Sequence, residues 1–186
     1  MDETYYIDPV LYSGRPQNES GRLPSEIRTY NLLDSLSIPY SRLDHSATAT
    51  IEECHDIDKR LGIEICKNLF LCNAQKTRFY LLMMPGTKKF RTAVLSKQIG
   101  SARLSFAGEE FMKTYLDVTP GSVTVLGLMN DTENHVQLLI DSDVLAHEYL
   151  GCHPCINTSS LKLKTSDILE KFLPAVHHSY MAVTLP

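Results

Sequence analysis

Four short stretches carry side chains that chemistry could use. Lys67-Asn68 interrupt the apolar run Ile65-Cys66-Lys67-Asn68-Leu69-Phe70-Leu71-Cys72. Neighbouring side chains on a strand leave on opposite faces, so one of the pair points toward the core or lines a pocket. The lysine reads either as a solvated edge residue or as a cation in a cleft that fixes a phosphate or polarises a carbonyl. Cys152-His153-Pro154-Cys155 runs on to Asn157 and Thr158. Its C-x-x-C spacing invites a zinc or redox reading, but a structural zinc site takes four protein ligands and no second pair stands nearby. His153, in a Gly-Cys-His-Pro setting, reads as part of an ordered turn, where catalytic groups are often displayed. Pro120-Gly121-Ser122-Val123-Thr124 is a turn whose backbone N–H groups could meet a carbonyl or an oxyanion. Gly100 to Ala107 is a small-residue segment carrying one cation, Arg103, which could meet an RNA phosphate or stabilise its own loop.

Other chemistries have no footing here. The chain has no G-x-S-x-G elbow, no P-loop and no G-x-G-x-x-G. Its 186 residues carry a net charge of −4, so it is no polyanion binder that works by bulk attraction. The 43% hydrophobic and 22% charged residues are a globular balance that can bury a core without disulfides. Five cysteines without a secretory signal, and no apolar run of membrane-spanning length, predict reduced thiols in a cytoplasmic protein.

The elements that must position these residues follow from periodicity and turn chemistry. Residues 1–24, with scattered Pro and Gly, read as an N-terminal arm, and 25–186 as one domain. Ile27, Tyr30, Leu32, Leu33 and Leu36 have helical spacing, and Tyr40 to Leu43 reads as a short strand. Thr50-Ile51-Glu52-Glu53 is a capping-box sequence opening a helix that ends near Gly62. The 65–72 run and Arg78 to Met84 form a hairpin across Gln75 to Thr77. Helices are expected at Thr92–Ile99 and Glu109–Leu116, then a second hairpin from Val123–Met129 and His135–Ile140. Short strands at Glu148–Cys152 and Leu161–Leu163 precede a helix over Asp167–Phe172, capped by Ser166 or Thr165. An edge strand over Ser179–Thr184 closes the chain. The whole predicts an α+β fold, a single domain with a curved, mostly antiparallel mixed sheet flanked by helices.

Taken in order, several stretches resemble the YbaK/ProX family of editing enzymes, which includes the editing domain inserted in bacterial prolyl-tRNA synthetases. They are Asp44-His45 with Thr50 to Glu53, Lys67 to Leu71, Arg103 to Ala107, Pro120 to Thr124, Gly127 to Asp131, and Gly151 to Thr158. Lys-Asn together with Gly-x-His-Pro is similar to the branch that removes alanine from tRNA(Pro) rather than the cysteine branch. Val125 stands where the family's turn loop continues to proline, and Ser46-Ala47-Thr48 where prolines often follow the histidine.

The resemblance implies an aminoacyl-tRNA deacylase acting in trans, with no cofactor and no metal. Its partner would be the acceptor end of aminoacyl-tRNA(Pro), with prolyl-tRNA synthetase as a candidate second one, and neither membrane nor DNA. Lys67 would anchor the terminal adenosine or the ester, Asn68 would support that geometry, and His153 would position water or hydrogen-bond the substrate. Gly121 and Ser122 would size the amino acid, with Gly151, Asn157 and Arg103 as further substrate contacts. The rival readings are a cysteinyl-tRNA(Pro) deacylase, a non-catalytic tRNA-binding module, and a zinc or redox protein using Cys152 and Cys155.

Overall fold

The run at 79–84 has no polar interruption because both faces of the strand it forms are covered. In the computed structural model, which describes residues 5–47 and 51–186, all six residues of β4 (Phe79–Met84) are buried. β4 pairs antiparallel with β3 (Lys67–Asn73) and parallel with β6 (Val136–Asp141). With β5 (Leu104–Phe106) and β9 (Tyr180–Val183) at the edges, the order is β5-β3-β4-β6-β9. A second, antiparallel sheet has the order β1-β2-β8-β7. It is built from Tyr12–Ser13, Tyr40–Asp44, Ser159–Lys164 and Tyr149–Cys152 for β1, β2, β8 and β7. The expected α+β domain is thus observed, with its strands divided between two sheets. Among the described residues no helix is long and apolar enough to cross a membrane.

The main core lies between the sheets. Phe70, Phe79, Leu81, Leu138 and Ile140 on one side meet Tyr40, Leu161 and Leu163 on the other. The helix α1 (Pro24–Ser35) closes this layer. Pro24 takes the first helical position, where its missing N–H costs nothing, and Glu26, Thr29, Tyr30 and Leu33 form the buried face. Glu26 is buried only because Arg22 pairs with it at 2.8 Å and the Tyr30 hydroxyl donates to it at 2.8 Å. The opposite face of the five-stranded sheet packs Leu71, Leu82 and Leu139 against Leu95 of α3 (Thr92–Gln98). A third, small cluster seats α2 (Ile51–Leu61) on β2 through Leu43, Ile57 and Leu61. Thr50, the expected cap of α2, lies outside the described residues.

Three expectations differ from what forms. Val125–Asn130 is a 3₁₀ helix, not a strand, and Val136–Asp141 pairs with β4 and β9 instead. The reason is local: the Thr124 hydroxyl accepts from Leu126 N and starts a helical turn, and Val125 to Leu128 are all buried. Gly127 fits because Leu116 is so close that a β-carbon there would stand 3.1 Å from the leucine backbone oxygen. Glu109–Phe111 begins the expected helix but continues as a π-turn over Met112–Leu116. The C-terminal helix begins at Thr165, and its hydroxyl donates at 2.6 Å to the His147 carbonyl rather than capping. The segment ahead of α1 is also more than an arm. It supplies β1, and Ile7 forms a bridge with His45.

Candidate active site

Three of the predicted residues meet in one cleft. Lys67, Gly121 and His153 line a cavity of about 970 Å³, walled by Ile57 and Asp58 of α2 and by Ile63 and Ile65 of the segment entering β3. Lys67 starts β3 and is exposed; its Nζ donates to the Lys88 carbonyl at 3.2 Å, and among the described residues no carboxylate pairs with it. The ammonium charge is therefore available to a ligand. Asn68 leaves on the other face, as strand alternation requires. Its Nδ2 donates to Cys66 O at 3.1 Å, while Oδ1 is buried and has no partner among the described residues. A buried acceptor without a donor costs about 1–3 kcal/mol, and Asn68 does not line the cleft.

His153 stands in the connection between β7 and β8. Cys155, at φ 61°, turns the chain back there, and His153 Nδ1 lies 2.8 Å from the Ser159 carbonyl oxygen. A carbonyl can only accept, so Nδ1 carries the hydrogen and Nε2 keeps its lone pair. Burial holds His153 below the ordinary imidazole range, so the ring is neutral at pH 7.

Sequence reasoning passed over two groups beside this ring, His45 and Ser160, of which Ser160 also lines the cleft. His45 Nδ1 lies 2.7 Å from the Ser46 carbonyl, and His45 Nε2 lies 2.9 Å from Ser160 Oγ. The same Oγ is 3.5 Å from His153 Nδ1. His45 could have been found from the Asp-His pair that carries part of the resemblance; Ser160 has no local signal, being 115 residues away from its partner.

The remaining predicted residues serve differently. Ser122 is buried and spends its polar groups on the turn: Oγ donates to Thr119 O at 2.9 Å, and its N–H donates to the same carbonyl. Neither group is aimed at the cleft, so the turn presents Gly121 there and Ser122 holds it. Gly151 is buried in packing. A β-carbon there would stand 2.7 Å from Ile63 Cδ1 and 2.8 Å from Ile65 Cγ1, both on cleft-wall residues. Asn157 is half-buried beside Gly121. Arg103 is exposed ahead of β5 and does not line the cleft.

Cys152 and Cys155 are buried in the main core, where burial pushes the Cys155 thiol up to about 11 and Cys152 higher. Both are neutral thiols at pH 7, poor as nucleophiles and as metal ligands. Among the described residues no group of three or more His, Cys, Asp or Glu is placed to hold a metal.

The family described as "Aminoacyl-tRNA editing domain" matches residues 45–171. The chain belongs to this family. Every predicted site residue lies inside that editing-domain span, and His45 is its first residue. The chain is 34% identical over 153 residues to "Prolyl-tRNA editing protein ProX" of Acetoanaerobium sticklandii, covering 82% of this chain and 93% of that one. It is 28% identical to "Prolyl-tRNA synthetase associated domain-containing protein 1" of Danio rerio, covering 96% of both chains. Among solved structures the editing-domain fold is similar to the "Crystal structure of a putative trans-editing enzyme for prolyl tRNA synthetase", at TM-score 0.64 and 16% identity over 88% of this chain and 97% of that one.

Proposed function

We propose that this chain is an aminoacyl-tRNA deacylase that removes alanine from mischarged tRNA(Pro) in trans. The observation that carries the reading is the cleft in which an uncompensated ammonium, Lys67, and a neutral imidazole with a free lone pair, His153, stand beside a glycine turn. Hydrolysis adds water across the ester. The water oxygen bonds to the carbonyl carbon, the bond to the ribose oxygen breaks, and one water proton ends on that ribose oxygen. His153 Nε2 holds the attacking water or the substrate, Lys67 takes the terminal adenosine phosphate or the ester oxygen, and Asn68, on the other face of β3, supports that geometry from outside the cleft. No covalent nucleophile is required, because positioning and electrostatic stabilisation suffice for an activated ester.

Size supports alanine as the substrate. A synthetase pocket built for proline gains only about 1–3 kcal/mol against a substrate lacking methylenes, so a second cavity that admits the smaller residue completes the selection. Gly121, which lines the cleft beside Asn157, is the residue this reading assigns to that selection. The partner is the acceptor end of aminoacyl-tRNA(Pro), with prolyl-tRNA synthetase as a second.

Single-turnover deacylation of alanyl-, cysteinyl- and prolyl-tRNA(Pro) by the wild type and Lys67→Ala tests this. Fast loss of alanine alone, abolished in the variant, is the expected result. Preference for cysteine moves the substrate to that amino acid, and hydrolysis of none overturns the enzyme.

A further inference from the structure

The hydrogen bonds behind His153 have a fixed polarity. The Ser46 carbonyl accepts from His45 Nδ1 at 2.7 Å, so neutral His45 offers only a lone pair at Nε2. Ser160 Oγ, 2.9 Å from that nitrogen, must therefore point its hydrogen at His45. Its lone pairs are then left to face His153 Nδ1–H at 3.5 Å, beside the stronger acceptor, Ser159 O, at 2.8 Å. His45 and Ser160 are buried, and the two imidazole rings lie 6.3 Å apart with 56° between their planes. Burial lowers the basicity of both rings, which keeps both neutral and the polarity intact at pH 7.

We propose that His45 and Ser160 are positioning residues that act through His153, orienting its ring so that Nε2 stands toward the cleft as an acceptor. The proposal rests on the deacylase reading above. Its parts come from the end of β2, from β8 and from the β7–β8 connection, so the array also ties the site to the four-stranded sheet. If His153 takes a proton at Nε2, its Nδ1–H meets two oxygens already turned to accept. A hydroxyl free to rotate would present its hydrogen to the ring in part of the population and weaken that alignment.

The test is a double-mutant cycle in single turnover on whichever aminoacyl-tRNA(Pro) the wild type hydrolyses fastest. Ser160→Ala and His45→Phe should each lower the rate constant between about 10- and 100-fold, the scale of a small misplacement. The half-saturating protein concentration should stay within about 2-fold. In a His153→Ala background neither should lower the rate further, because residues acting through one group are not additive. Losses that persist in that background show a merely structural role and overturn the proposal, as do unchanged rates. Nitrogen-15 spectra of histidine-labelled protein give a second readout that needs no activity. Both His45 and His153 should carry their hydrogen on Nδ1, and Ser160→Ala should shift the His153 ring signals while leaving the hydrogen on Nδ1, since the Ser159 carbonyl still accepts it. An Nε2–H tautomer of His153 in the wild type overturns the array. If the wild type hydrolyses nothing, the deacylase reading falls and the spectra alone decide the array.

Discussion

Gly121 stands against Asn157: a β-carbon built on the glycine would lie 3.5 Å from the amide nitrogen, on a backbone with φ 87°. The distance is an ordinary contact, so the obstacle to any larger residue is the left-handed backbone, which costs about 1–2 kcal/mol outside glycine. Gly121→Ala should therefore lower stability in urea by about that amount. Deacylation should fall further than the folded fraction does, because the methyl enters the cleft wall. Stability equal to the wild type would mean that the turn relaxes to another conformation.

Gly151 presents the opposite case, with ordinary backbone and no space. Ile63 and Ile65 would meet a new methyl at 2.7 and 2.8 Å, and the Ile65 backbone at 3.1 Å. The isoleucine tips can shift but the strand bridge between Ile65 and Gly151 cannot shift freely. Overpacking of this kind costs about 1–3 kcal/mol. Gly151→Ala is expected to lower the urea midpoint and, by moving two cleft-wall residues, to slow hydrolysis as well.

Where the sequence pattern was local, it was legible. The β3–β4 hairpin, α2 and β9 form where apolar runs and turn residues predicted them, because each signal needs only its own neighbours. The 123–129 run misled because a short, largely buried apolar segment carries no period to tell helix from strand; Thr124 and the contact with Leu116 decide it. Lys67 and His153 were readable as chemistry-bearing types, and the cleft does bring them together. Ser160 was not, since a serine on a strand is unremarkable until the histidine just past β2 stands 2.9 Å away. Ser122 and Gly151 were read as substrate contacts because their stretches carry the resemblance, yet a resemblance does not separate residues that touch a ligand from those that shape the turn or the packing behind it.

Asp44 gives stability a steep acid limb. Burial opposes its charge, but hydrogen bonds from Arg22 at 2.5 Å and from Arg42 outweigh it and hold the carboxyl at about 2. A carboxylate whose folded value lies below its unfolded one stabilises above the unfolded value, and loses that contribution as pH falls through the folded one. The window runs from about pH 4 down to 2 and is worth roughly 2 kcal/mol. His45 and His153 add a fall that starts higher, since both are held below the ordinary imidazole range and the unfolded chain takes up their protons first. Urea titrations from pH 7 to 2 should show both falls. Asp44→Asn should reduce the lower one, leaving the part that Asp117 contributes, and lower stability at pH 7, because it leaves the buried Arg42 without its carboxylate.

Arg103 lies outside the cleft, and that position makes a sharp prediction. It is exposed ahead of the edge strand β5, whose Phe106 is 63% exposed. If it meets an RNA phosphate, its contribution is sequence-independent and screened by salt. Arg103→Ala should then weaken binding of intact alanyl-tRNA(Pro) and reduce the slope of log affinity against log salt by about 0.7 to 0.9, one phosphate contact's worth. Hydrolysis of a minimal substrate, alanine esterified to adenosine, should stay at the wild-type rate, because that substrate ends before any neighbouring phosphate. An equal loss on both substrates would place the effect of Arg103 in the fold, and no loss on either would leave the guanidinium as a charged guard on an otherwise exposed sheet edge.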